Sequence, residues 1–464
     1  MTTPHVVVVG AGISGLTAAY RLSTADAPCR VSLVEASNRL GGKIATTPFG
    51  GVMIDEGADA FLARVPDAID LCRDLGIDTN FISPSSKGAY VVSRGKLRRL
   101  PDGLMLGVPT QLRQVVTSGI VSPLGLLRAG LDLVKPNNWD GEDESVGDLI
   151  TRRMGSEVAE RLVDPLVGSI SASDTFNLSA QLATPQIAEV ARNHRSLIRG
   201  LRQLQKEREA TNLPLFYGFR GGMSVLVDRL AAELTAVDIR TNSEVNAIEV
   251  RPGGGYRLAT PSGSIDADAV VIAAPARIAA PLVAPYAAGA SQILADVEYA
   301  SVSLVTMAFR SSDIGNDLDG SGLLVAPDED MLMTAASFGH RKWPHWTGDN
   351  DDRIVMRVSA GRFGDDRAMH LDDDELVESL ANELAGLLDI EGPVLEWRVS
   401  RWPLSFPQYR PGHSDRIALA ESELVATLPG IELTGSSYRG VGIPACIRQG
   451  NEAAARIVER FASA

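Results

Sequence analysis

Four valines in a row, Val6 to Val9, run straight into Gly10-Ala11-Gly12-Ile13-Ser14-Gly15 and then into an apolar stretch from Leu16 to Leu22. An unbroken β-branched run suits a strand covered on both faces of a parallel sheet, so a strand, a glycine turn and a helix are expected in that order. Gly10 would make the tight turn, Gly12 would let the backbone approach a pyrophosphate, and Gly15 would let the helix pack on the strand. Phosphates would rest on free amides at the helix N-terminus, within the loop completed by Ala11, Ile13 and Ser14. A second strand pattern, Arg30 to Val34, ends in Glu35, about twenty residues past the last glycine, where a carboxylate accepts ribose hydroxyls. Such an acid disfavours a 2′-phosphate, which leaves NAD or FAD ahead of NADP.

Charge and composition narrow the remaining classes. Lysine and arginine total 44 against 58 acidic residues, a formal net charge of −14, which is the wrong sign for a nucleic-acid binder. With 464 residues, 45% hydrophobic and 22% charged, the chain has ordinary globular proportions and room for about three domains. Cys29, Cys72 and Cys446 are far apart with no finger spacing, which predicts a reducing, cytoplasmic setting. No signal peptide is expected, and the uncharged run Ile278 to Ala295 is interrupted by Pro281, Pro285 and Gly289 and does not read as a membrane span. GxSxG, HExxH and P-loop motifs are absent, the histidines are scattered, and no metal is expected.

Glu35-Ala36-Ser37-Asn38-Arg39-Leu40-Gly41-Gly42-Lys43 resembles the E-x-x-x-R-x-G-G extension of the flavin amine oxidase and protoporphyrinogen oxidase superfamily. There the glycines turn close to the ligand, and Arg39 and Lys43 would bring cationic donors near the pyrophosphate. Asp55-Glu56-Gly57-Ala58-Asp59-Ala60-Phe61 is similar to the family segment beneath the isoalloxazine ring, where Gly57 to Ala60 let backbone amides approach the flavin. Gly221-Gly222-Met223 resembles the family's return into the cofactor domain, ahead of a helix from Val225 to Leu234. Ile239 to Val245 reads as a strand, which puts Val245 where the family pairs its backbone with adenine. Trp402 matches a family position near the flavin. Gly440-Val441-Gly442-Ile443-Pro444 resembles the bacterial porphyrinogen oxidase version of the C-terminal signature, in which Val441, Gly442 and Ile443 begin a turn whose helix end faces the flavin pyrimidine. That helix is read from Asn451 to Phe461. Many related oxidases carry an acid where this chain has Ser436.

The resemblance spans the chain and is closest to the oxygen-dependent protoporphyrinogen and coproporphyrinogen III oxidases of bacterial type. It implies an α/β fold with a discontinuous FAD-binding, Rossmann-like domain (residues 1–84, 214–285 and 401–464). The rest divides into a helical subdomain (85–213) and a mixed-sheet substrate domain (286–400). It also implies oxidation of coproporphyrinogen III or protoporphyrinogen IX by hydride transfer to FAD, with dioxygen as acceptor and peroxide as product. A transient contact with the next enzyme of haem synthesis, and at most peripheral membrane association, go with it. Arg64 and Lys87 stand where the family presents basic residues to the pocket and are the candidate propionate partners; no general base is identified. An amine or carotenoid oxidase and a non-catalytic binding protein of the same fold are the rival readings. Cys446 and Tyr438 match an amine oxidase poorly, and Glu35 with Arg39, Gly41 and Gly42 speaks against a protein without FAD.

Overall fold

Val6 to Val9 lie in a fully buried strand, His5–Val9, flanked in parallel by Arg30–Val34 and Ala269–Ile272. In this computed structural model, which describes residues 3–86, 88–135, 139, 141–209, 213–316, 319–348 and 352–463, five parallel strands form one sheet. Its order is Asp238–Arg240, Arg30–Val34, His5–Val9, Ala269–Ile272 and Ile431–Leu433. The valine run is continuous because each face has its own core. Val6 and Val8 pack with the helices Ile13–Ser23 and Ile443–Ala462, whereas Val7 and Val9 pack with Ala276–Val283 and His413–Thr427.

A second, seven-stranded sheet runs Glu396–Pro407, Tyr299–Arg310, Arg353–Ala360, Met333–Phe338, Gly322–Val325, Tyr90–Ser93 and Lys96–Arg99. The helix Asp373–Leu388 covers it with Leu376, Leu380 and Leu384. That helix starts with a capping box between Asp372 and Glu375, so the acidic run at its head serves the helix end. Two boundaries drawn from the sequence fall inside this sheet. Position 401 lies within the strand Glu396–Pro407, and residues 90–99 pair with the substrate-side strands although they precede the helical unit.

The helical unit is built from helices between Leu112 and Glu209 and is pinned by a buried ion pair, Arg153 to Asp132 at 2.7 Å. Asp132 also accepts from Ser196 Oγ at 2.7 Å and from the Ile198 amide at 3.0 Å. Ala159–Gly168 is a π-helix with Pro165 inside it, a distortion that often marks functional positions. The apolar stretch Ile120 to Leu131 divides: Ile120 and Ala129 are buried, but Leu124 and Leu127 are 78% and 71% exposed. Among the described residues no helix is long and apolar enough to cross a membrane.

Two element boundaries differ from the sequence reading. The C-terminal helix begins at Ile443, not Asn451, because Pro444 fits a first helical turn and Gly450, whose Cβ would stand 2.5 Å from Ser14 O, lets it press on the helix Ile13–Ser23. The strand expected to reach Val245 stops at Arg240, since Asn242 takes a φ of 51° and the Ser243 amide turns to donate to Glu35 O at 2.9 Å. The sequence at 349–352 carries three aspartates and reads as a surface loop, and residues 349–351 of it lie outside the described residues.

Candidate cofactor and substrate site

The site begins where the first strand ends. Gly10 turns at φ 100°, and a Cβ there would lie 2.9 Å from Ala273 O. A Cβ on Gly15 would lie 1.9 Å from Gly10 O, so helix and strand meet only through glycine. Gly12 caps the helix Ile13–Ser23 with no side-chain hydrogen bond, and nothing lies within 4 Å of where its Cβ would stand. The first amides of that helix therefore face free space. Glu35 holds its carboxylate beside this loop, accepting from the Ala11 amide at 2.7 Å through Oε2 and from the Ser37 amide at 2.8 Å through Oε1. Each oxygen keeps a lone pair for a further donor. Ala36 is exposed next to it.

The second glycine turn abuts the first. The Gly41 amide donates to Ala11 O at 2.8 Å, and a Cβ on Gly42 would stand 3.0 Å from Gly12 Cα. Arg39 differs from the expectation of a pyrophosphate donor: its guanidinium is spent on the carbonyls of Leu40, Gly42 and Ile44, so it braces its own turn. Lys43 is the free cation. Its ammonium donates to Ser405 O and reaches Ser436 Oγ at 3.4 Å, and no carboxylate pairs with it among the described residues. Loss of hydration pushes its pKa down to about 8.

Gly57 lies between Lys43 and Trp402. Its Cβ would be 2.5 Å from Lys43 O and 3.6 Å from the Trp402 ring, whose Nε1 donates to Glu56 O at 2.9 Å. Ala58 is exposed and Ala60 half-buried along the same segment. Asp59 departs from its expected place at the flavin. Its carboxylate accepts from Lys342 at 2.8 Å, from Trp343 Nε1 at 3.0 Å and from Arg357 at 3.2 Å. Burial alone would raise its pKa, but Lys342 and Arg357 hold it well below the usual carboxylate range. All three contacts fall on Oδ2. Neighbouring Asp55 is pushed up to about 6 by burial, against hydrogen bonds from Thr46 Oγ1 and the Met223 amide.

At the far end, Gly442 caps the helix Ile443–Ala462 without a side-chain hydrogen bond, with Val441 half-buried before it. Thr434, at the end of the strand Ile431–Leu433, has a buried hydroxyl with no partner. Val245 is buried with Val9 and Val34, at the sheet edge where Glu35 sits. Two uncapped helix ends, an open space at Gly12 and the Lys43 ammonium form a donor set suited to a dinucleotide's diphosphate and sugar oxygens.

Beside it lies a cavity of about 150 Å³ between the π-helix and the mixed sheet, lined by Pro165, Ala172, Val302, Val325 and Phe406 among others. Phe406 lies on the same strand as Trp402, and Val302 pairs with Trp402, so this cavity adjoins the flavin end of the site. A second cavity, of about 250 Å³, shares Val325, Thr334 and Arg362 with it. Of the two cations expected at the pocket, Arg64 is exposed on the turn after Phe61–Leu62, and Lys87 lies outside the described residues. The sequence reading missed Arg362, whose signal is a cation between two glycines, Gly361 and Gly364, directly after a strand.

Comparison with known proteins agrees with this geometry. Residues 13–458 match the family model of flavin-containing amine oxidoreductases. The chain is 32% identical over 459 residues to coproporphyrinogen III oxidase of Bacillus subtilis (strain 168), covering 97% of each chain. It is 28% identical to protoporphyrinogen oxidase of Bos taurus, covering 98% of each. A solved structure from Exiguobacterium sp. 255-15 superimposes with a TM-score of 0.89 at 28% identity, over 99% of this chain and 100% of that one. With the glycine turns, Glu35 and the open cradle at Gly12 in place, the chain belongs to the flavin-containing amine oxidoreductases and is an FAD-dependent oxidoreductase.

Proposed function

We propose that this chain oxidises coproporphyrinogen III to coproporphyrin III, with dioxygen as acceptor and peroxide as product. The observation that carries this is the end-to-end likeness to the Bacillus subtilis coproporphyrinogen III oxidase. FAD, when bound, supplies the redox chemistry. The protein's part is to hold it: Gly10 to Gly15 and Lys43 at the diphosphate, Glu35 at the ribose, Val245 at the adenine, and Gly57 with Ala58 and Ala60, Trp402 and Val441 to Ile443 around the ring. Residues 1–84, 214–285 and the stretch after Pro407 make up the cofactor unit, while the mixed sheet and the helices enclose the substrate. Arg64 and Lys87 are the proposed propionate partners. The reading places the enzyme in the cytoplasm, with at most peripheral membrane contact through exposed leucines such as Leu124 and Leu127, and with product handed to the next enzyme of haem synthesis.

A second reading, protoporphyrinogen IX as substrate, is supported by the likeness to the Bos taurus enzyme. Porphyrin fluorescence and oxygen uptake, measured on each porphyrinogen with protein that carries flavin absorption, separate the two.

A further inference from the structure

The inner cavity has two charged residues in its lining, Asp164 and Arg362, and they are paired at 3.2 Å. Asp164 sits in the π-helix Ala159–Gly168 and is 4% exposed. Its Oδ1 accepts twice from Thr175, from the amide at 2.9 Å and from Oγ1 at 2.8 Å, which leaves Oδ2 for Arg362. Arg362 donates to Asp164 and to Ser173 O through the same nitrogen, Nη2, each at 3.2 Å. Among the described residues its Nη1 and Nε have no partner. A guanidinium carries five N–H donors in a fixed fork suited to carboxylates, and here most of that fork is unused beside a cavity.

The backbone under Arg362 is rigid. Gly361 turns at φ 98°, where a Cβ would meet Ser301 O at 2.5 Å. Arg362 and Asp365 exchange backbone hydrogen bonds at 3.1 and 2.9 Å, and the Phe363 amide donates to Ala172 O at 2.7 Å. The other arginine in the adjoining cavity, Arg367, is already paired with Asp365 at 2.8 Å and Asp330 at 3.2 Å. Val302, Leu304 and Phe406 give the cavity an apolar part. An apolar slot with a preorganised, half-satisfied cation fits an amphipathic molecule that ends in a carboxylate.

We propose that Arg362 receives a carboxylate of the substrate, a propionate if the coproporphyrinogen reading holds, and that Asp164 is the residue that positions it. This deepens the proposed function and rests on it. A neutral cavity wall becomes selective for acid-bearing tetrapyrroles because the ion pair keeps spare donors in place without presenting an isolated buried charge.

The test compares coproporphyrinogen III with its tetramethyl ester, in wild type and Arg362→Gln, by steady-state kinetics, with coproporphyrin III binding followed by fluorescence. The expected result is a rise in KM and Kd for the free acid of about tenfold or more, consistent with loss of a charged hydrogen bond, with kcat and the ester values unchanged. Equal losses on acid and ester, or no loss on either, overturn the assignment. Failure of the wild type to oxidise either compound overturns the proposed function instead. Should the variant not fold, phenylglyoxal labelling of the wild type decides: coproporphyrin III shields Arg362 if the assignment is right, and leaves it equally reactive if it is wrong.

Discussion

Gly42 stands against Gly12, so closely that a Cβ on Gly42 would come within 3.0 Å of Gly12 Cα, while the same atom on Gly12 would meet nothing within 4 Å. The two glycine turns thus close on each other and leave one side of Gly12 empty. Gly12→Ala is expected to change the stability of the flavin-free protein by less than about 1 kcal/mol, the ordinary scale for a helix-cap substitution, yet to lower FAD affinity by about tenfold or more. Thermal unfolding of apoprotein and a flavin titration check both halves. Gly15→Ala is the contrast, since its Cβ would fall 1.9 Å from Gly10 O and should unfold the cofactor unit with or without FAD.

Lys43 links flavin binding to pH. Its ammonium is held by Ser405 O and Ser436 Oγ, and burial lowers its pKa to about 8. A diphosphate beside it favours the charged form, so the bound state keeps its proton to higher pH than the free state. FAD affinity should therefore be constant below pH 8 and fall as pH rises above it. Lys43→Met should bind FAD about tenfold or more weakly at pH 7, as expected for a lost charge-assisted hydrogen bond, and should lose that pH dependence. Isothermal titration across pH 7 to 10 measures both.

Asp55 makes stability fall with rising pH. Its folded pKa of about 6 lies above the unfolded carboxylate value of 3.8, so the folded chain holds the proton longer. The resulting stabilisation is complete below the unfolded value and is lost as pH passes through 6. A shift of that size corresponds to about 2–3 kcal/mol. Asp55→Asn keeps an oxygen for Thr46 and the Met223 amide and should be more stable than wild type at pH 8, with the gap closing towards pH 4. Chemical denaturation at the two pH values reads this directly.

Much of the cofactor unit was legible because its signals are local. Val6 to Val9, the spaced glycines and Glu35 lie within one strand, turn, helix and strand unit, and each behaves in the sheet as its chemistry requires. What escaped the reading depends on residues far apart in the chain. Lys43 reaches a carbonyl 362 positions away, and Arg362 meets Asp164 across 198. Asp59 sits in a motif that points to the flavin, but Lys342 and Arg357 draw its carboxylate elsewhere. The early start of the last helix depended on Gly450 packing against Ser14, a contact between the two ends of the sequence.

The proposed activity is oxidation of coproporphyrinogen III. Its most direct measurement is oxygen uptake by the purified, flavin-bearing protein on coproporphyrinogen III, with porphyrin fluorescence and peroxide followed together. Three dioxygens consumed and three peroxides formed for each coproporphyrin III are expected, with a higher kcat/KM than for protoporphyrinogen IX. Flavin-bearing protein that leaves coproporphyrinogen III unoxidised above the background rate would contradict it.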